Sequence, residues 1–232
     1  MRAICVASGK GGTSKTTLVA SLGAWLAKDG DKVAIVDLNL DQASLTNWWI
    51  QRGRPTFPFL VDLTNFADDV EALRRTKWKV CLIDTPPDEM DVIESAILEA
   101  DAVVIPVRAS DLDIQACKAI VDLCERRRKP YGLLLVQIDT RAPYRKINDA
   151  ARAQLTGIGR VLSPVFTANR AYSASVVDPT LRGKAGFEVD ASLEQEIADI
   201  WEAIETIGRG QELEGLQDLF EDTTSRARRK RK

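Results

Sequence analysis

The chain has 232 residues, 45% of them hydrophobic and 28% charged, with 32 lysines and arginines against 34 aspartates and glutamates. That is the mix of an ordinary globular protein, and no apolar run approaches the roughly 18 residues of a membrane span. Histidine is absent, which excludes Ser-His-Asp and Cys-His nucleophilic schemes and most catalytic zinc sites and leaves carboxylates, lysines, hydroxyls and backbone.

Residues 2–7 read as a buried strand, and the chain opens without the apolar stretch and cleavage site of a secretory signal, so a cytoplasmic location is expected. A glycine-rich turn follows, then a helix over about 15–28 with Leu18, Leu22, Trp25 and Leu26 on one face. A second strand, 33–37, ends in a carboxylate and leads to a helix near 44–51. A short strand is expected within 58–63 and a helix over about 66–75. The continuous apolar runs 80–84 and 102–107 have the character of parallel strands covered on both faces, with a helix over 88–99 between them. A long helix at 112–128, a strand at 131–138, a helix at 143–155 and a short strand near 161–166 come next. Leu193, Ile197, Ile200, Trp201, Ile204 and Ile207 mark a last helix over 191–207.

Strands alternating with helices predict an α/β fold, a mostly parallel sheet covered by helices on both faces. Residues 1–208 read as one domain without repeat or linker. Residues 209–232 read as an extension whose end is too polar and charged to order by burial. Six of the last seven residues are cations, Arg226, Arg228, Arg229, Lys230, Arg231 and Lys232, which leaves an acidic body beside a basic tail. Cys5, Cys81, Cys117 and Cys124 form no C-x-x-C pair; free thiols are expected, without an Fe–S cluster or structural zinc.

Between the first strand and first helix lies Gly9-Lys10-Gly11-Gly12-Thr13-Ser14-Lys15-Thr16-Thr17. Glycines there let backbone N–H groups converge on an anion, and the helix N-terminus adds partial positive charge, as a P-loop NTPase requires. Lys15 is placed to reach β- and γ-phosphates and Thr16 to ligate Mg²⁺. The strict G-x-x-x-x-G-K-[ST] pattern fails at Ser14. Asp84, at the end of its strand, is placed to serve the Mg²⁺ shell.

Lys10 to Thr16 resembles the deviant Walker A motif, KGGxxK[ST], of the ParA/MinD family of P-loop ATPases. The resemblance implies ATP and Mg²⁺ as cofactors, nucleotide binding by residues 10–17, and a Lys10 that reaches a partner's phosphates in an ATP-sandwiched homodimer. Val36 to Ser44 is similar to the family's VDxDPQxS segment, in which Asp37 would lie near the metal and a second Asp would orient the attacking water. Without a gap, Asn39 stands in that second place; with one inserted residue, Asp41 does. Slow turnover is consistent with Asn39, which can hold a water but cannot take its proton. Ala100 to Asp113 is similar to a further family segment, and Arg170-Ala171-Tyr172 before Gly183-Lys184 extends the likeness to residue 207.

Three classes follow from that resemblance. A ParA-type partition ATPase would bind DNA nonspecifically through Arg170, Lys184 and the tail, associate with the nucleoid, and act through a ParB-like or other adaptor. A MinD-like membrane switch would need a basic amphipathic end. Leu213, Leu216, Leu219 and Phe220 have helical spacing, but the acids Glu212, Glu214, Asp218, Glu221 and Asp222 among them disfavour anionic lipid. An iron–sulfur carrier would need paired cysteines, which the sequence lacks.

Overall fold

The structure, a computed structural model, describes residues 1–208. In chain order its elements are β1 (Arg2–Val6), α1 (Lys15–Ala27), β2 (Val33–Asp37), α2 (Ser44–Gln51), β3 (Phe59–Leu60), α3 (Phe66–Arg74), β4 (Val80–Asp84), α4 (Met90–Glu99) and β5 (Ala102–Arg108). They continue with α5 (Asp111–Arg126), β6 (Tyr131–Ile138), α6 (Arg145–Thr156), β7 (Val161–Thr167), α7 (Gly186–Val189) and α8 (Glu194–Glu205). The tail from Arg226 to Lys232 and the apolar positions Leu213 to Phe220 lie outside the described residues.

The seven strands form one parallel sheet in the order β3-β2-β4-β1-β5-β6-β7. β1, β2, β4 and β5 are buried almost throughout, as their unbroken apolar runs require when helices cover both faces. On one face Leu18 and Leu22 of α1, Leu45 of α2 and Ile197, Ile200 and Ile204 of α8 close the core. On the other, Ile93 and Ile97 of α4, Ile114 and Ile120 of α5 and Leu155 of α6 do so. Each such side chain stabilises the fold by roughly 1.5–3 kcal/mol.

Two expectations are refined, and one segment carries elements that the sequence did not predict. Besides Leu18, Leu22 and Leu26, α1 buries Val19, Ala20, Ser21, Gly23 and Ala24, because α8 and α2 flank it above the sheet; its apolar stripe is not confined to one face. The strand expected within 58–63 shrinks to Phe59 and Leu60, an edge pairing with β2 at Ala34 and Ile35. Residues 170–189 carry 3₁₀ turns and the four-residue α7, too short for a periodic signal.

β1 lies at the centre between β4 and β5. From it one connection leads outward to β2, and the β4–β5 connection passes to the other side. Strand order reverses there, and the crevice above the carboxyl ends at such a point is where open α/β sheets receive ligands. The loop after β1, Asp37 at the end of β2 and Asp84 at the end of β4 all meet at that edge.

Candidate functional site

Gly12 at φ 72° and Ser14 at φ 59° both adopt left-handed backbone. A side chain in that conformation costs about 1–2 kcal/mol, which is why strict phosphate loops place glycine where Ser14 stands. Ser14 turns the chain into α1, whose first turn carries no acidic residue and no side-chain cap. Its leading N–H groups are thereby left for an anion.

The two lysines of the loop diverge. Lys15 is buried and donates to the Lys10 carbonyl at 3.2 Å. Burial lowers its pKa, against the pull of Asp84 and Asp88. Lys10 remains one-third exposed and pairs with Asp113 at 3.4 Å.

Beneath the loop, parallel pairing places Asp37 directly opposite Asp84 on adjacent strands. Thr16 Oγ1 donates to Asp84 Oδ2 at 2.6 Å, while the buried Oδ1 has no hydrogen-bond partner among the described residues. Burial pushes the Asp84 carboxyl up to about 7; the Thr16 hydrogen bond opposes the shift and the Asp37 charge adds to it. A buried, orphaned carboxylate oxygen beside a hydroxyl and a second carboxylate suits Mg²⁺, which takes one or two carboxylates and completes its shell with phosphate and water. The residues present fit that ion.

Asp37 is buried and accepts from the Asn39 N–H at 3.1 Å and from the Thr46 N–H and hydroxyl at 2.9 and 3.0 Å. The metal-side carboxylate is thereby tied to the first turn of α2. Asn39 is also buried, and its amide donates to Gln42 Oε1 at 3.2 Å. Asp41 is exposed and makes no side-chain hydrogen bond among the described residues. The structure brings Asn39, and not Asp41, to Asp37.

Sequence reasoning assigned no role to Arg108, Asp113 or Gln137. The Asp113 side chain is almost fully buried and is shared by Lys10, by Arg108 Nε at 3.0 Å and by the Ser110 hydroxyl. Burial pushes its carboxyl up, but the bonds from Ser110 and Arg108 outweigh this and hold it below the usual carboxylate range. A legible signal existed: Ser110 before Asp113 is the N-cap of α5, Ser110 Oγ accepting from the Asp113 N–H at 3.2 Å. Gln137, at the end of β6, reaches the phosphate loop with no sequence signal at all.

Arg170 and Lys184 are both exposed on the segment between β7 and α8, as is Arg182. The side chains of Arg170 and Arg182 make no hydrogen bond or ion pair among the described residues. Lys184 lines a cavity of about 160 Å³ with Thr16, Thr17, Trp48 and Tyr172, which places this segment against the outer side of the phosphate loop. α2 grips it: Arg52 donates to the Gly183 carbonyl at 3.0 Å and pairs in bidentate fashion with Glu188 at 2.6 and 2.7 Å.

A phosphate-binding loop at the reversal point of a parallel sheet, with two strand-end carboxylates beside it, defines a P-loop nucleotide-binding protein. The family model for the CobQ/CobB/MinD/ParA nucleotide binding domain matches residues 4–178, and the chain belongs to this family of P-loop ATPases. Maintenance of carboxysome distribution protein A of Gloeobacter kilaueensis is 31% identical over 176 residues, 75% of this chain and 78% of the relative. Chromosome-partitioning ATPase Soj of Thermus thermophilus is 26% identical over 178 residues, 61% of this chain and 71% of the relative. The septum site-determining protein MinD of Pyrococcus horikoshii, solved with Mg-ADP, superposes with a TM-score of 0.64 at 20% identity, covering 88% of this chain and 96% of the other. At that identity the superposition establishes the fold. Among the described residues no helix is long and apolar enough to cross a membrane.

Proposed function

We propose that this chain is a ParA-type positioning ATPase, in which ATP draws two copies into a face-to-face dimer that binds DNA without sequence preference and moves cargo through an adaptor. Residues 1–208 form the ATPase unit and residues 209–232 an extension with a basic end. Residues 10–17 hold the phosphates, and Thr16, Asp37 and Asp84 hold Mg²⁺, which when bound offsets charge on the β- and γ-phosphates. Lys15 sits inside its own loop and steadies the same phosphates.

The observation that carries the reading is the divergence of the two lysines. Lys15 fills the role that one phosphate loop needs, whereas Lys10 is turned outward onto Asp113, available to a second copy once that pair opens. The water-holding role goes to Asn39, which is buried beside Asp37. An amide orients a water without accepting its proton, so basal turnover is slow and Asn39→Ala lowers it further, whereas Asp41→Asn leaves it near the native rate. Arg170, Lys184 and the tail from Arg226 to Lys232 supply the cations for DNA, on a nucleoid-associated, cytoplasmic protein. Relatives named for chromosome partition and for carboxysome distribution support a positioning role, with the cargo set by the adaptor.

The test is cosedimentation with plain DNA and with anionic liposomes, each with and without ATP, on the native chain and Lys10→Ala. The reading expects ATP-dependent DNA binding that Lys10→Ala loses while still binding nucleotide. Binding to liposomes and not to DNA would give the protein to a MinD-like membrane switch instead.

A further inference from the structure

Gln137 occupies an unusual place. It is a non-glycine residue at φ 56°, next to last in β6, and pairing with β7 slips between Val136 and Ile138 at this point. Such irregularities beside a site re-aim a side chain out of the strand's alternation. Its amide Nε2 donates to the Gly12 carbonyl at 2.7 Å and to Ser14 Oγ at 3.0 Å. Gly12 O can only accept, so the amide nitrogen must face the loop and Ser14 Oγ must accept as well. These two partners are the loop's left-handed residues.

We infer that Gln137 is a positioning residue for nucleotide binding, a strut from β6 that holds the phosphate loop in its receptive shape and compensates for the serine at position 14. The inference rests on the assignment of residues 10–17 to phosphate. Ser14 bears a backbone strain that glycine would not, and its hydroxyl, which glycine lacks, offers the strut its second anchor. Without the strut the loop populates its receptive shape less often, and apparent affinity falls by that fraction.

The experiment measures Kd for mant-ATP and mant-ADP with Mg²⁺ in four full-length proteins: native, Gln137→Met, Ser14→Gly and the double variant. Gln137→Met keeps the side-chain length without the donor, and Gln137→Ala serves if it does not fold; melting temperatures are read alongside. Loss of two hydrogen bonds predicts a Kd raised by roughly threefold to tenfold in the native background. In the Ser14→Gly background the loss should shrink to about twofold or less, because the strain and one of the two bonds are already gone. Unchanged affinity in Gln137→Met, or equal losses in both backgrounds, would overturn the inference. Failure of the native chain to bind mant-ATP would overturn the nucleotide site itself, and is read before any variant is compared.

Discussion

The two ends of α2 are held by opposite means. At its start, Thr46 is bonded twice to Asp37, a carboxylate only 3% exposed. At its end, Arg52 clasps Glu188 with side chains 20% and 28% exposed, and stacks over the Trp48 ring at 5.4 Å. Buried hydrogen bonds to a charge are worth about 1.5–3 kcal/mol each, whereas partly exposed ion pairs contribute about 1 kcal/mol or less. The start of α2 is thus firmly held by a buried carboxylate, and the end that grips the 178–189 segment is lightly fastened.

Four experiments break or sharpen that contrast. The largest effect belongs to Asp84. Its carboxyl is raised from 3.8 to about 7 by burial, so between those values the folded chain binds a proton that the unfolded chain has already lost. Stability from this group is therefore fully present below about pH 4 and declines as pH rises through 7, by up to about 4 kcal/mol. In thermal melts without Mg²⁺ or nucleotide, Asp84→Asn should be more stable than the native chain at pH 8 and no more stable at pH 4. A native-minus-variant difference independent of pH would refute the shift.

Next, Lys15→Ala should weaken mant-ATP binding by about 3 kcal/mol, roughly 100-fold or more, since in the proposed site its ammonium would make charge-assisted bonds to two phosphates. A titration in which the variant stays within a few-fold of native binding would remove Lys15 from the site.

Third, Gly183 holds φ 74°, and a β-carbon there would lie 2.3 Å from Arg52 N. Gly183→Ala should cost about 2 kcal/mol of stability or more by urea denaturation, because both left-handed backbone and the close approach to α2 are violated. A neutral result would mean that the 178–189 segment is free to leave α2.

Smallest is Arg52→Ala, which should lower stability by about 1 kcal/mol. Its value is in the comparison: DNA affinity in ATP should fall while mant-ATP affinity holds, since the clasp touches the basic segment and not the phosphates. Equal loss of both would show that the two ends of α2 are a single unit.

Much of this site was legible in the residues themselves. The turn Lys10 to Thr17 between strand and helix, and carboxylates closing the runs 33–37 and 80–84, follow from local pattern, because strand burial and glycine chemistry act over a few residues. The difference between Asn39 and Asp41 was not legible, because a one-residue shift in a loop leaves no periodic trace; in the structure Asn39 is buried and bonded to Asp37, whereas Asp41 is exposed. The segment 170–189 was obscure for the same reason: short 3₁₀ turns repeat nothing.

What the sequence by itself determined was the order of strands and helices, the phosphate loop and the two strand-end acids, all of which depend on neighbours in the chain. Tertiary structure decided the rest. Only the sheet order sets Asp37 against Asp84, 47 residues on. Only the packing of α5 beside the loop gives Lys10 to Asp113, 103 residues away, and only the bulge in β6 sends Gln137 back to Gly12 across 125. Such contacts leave no mark in local composition, because their geometry arises from how seven strands are laid side by side and not from the residues that flank each one.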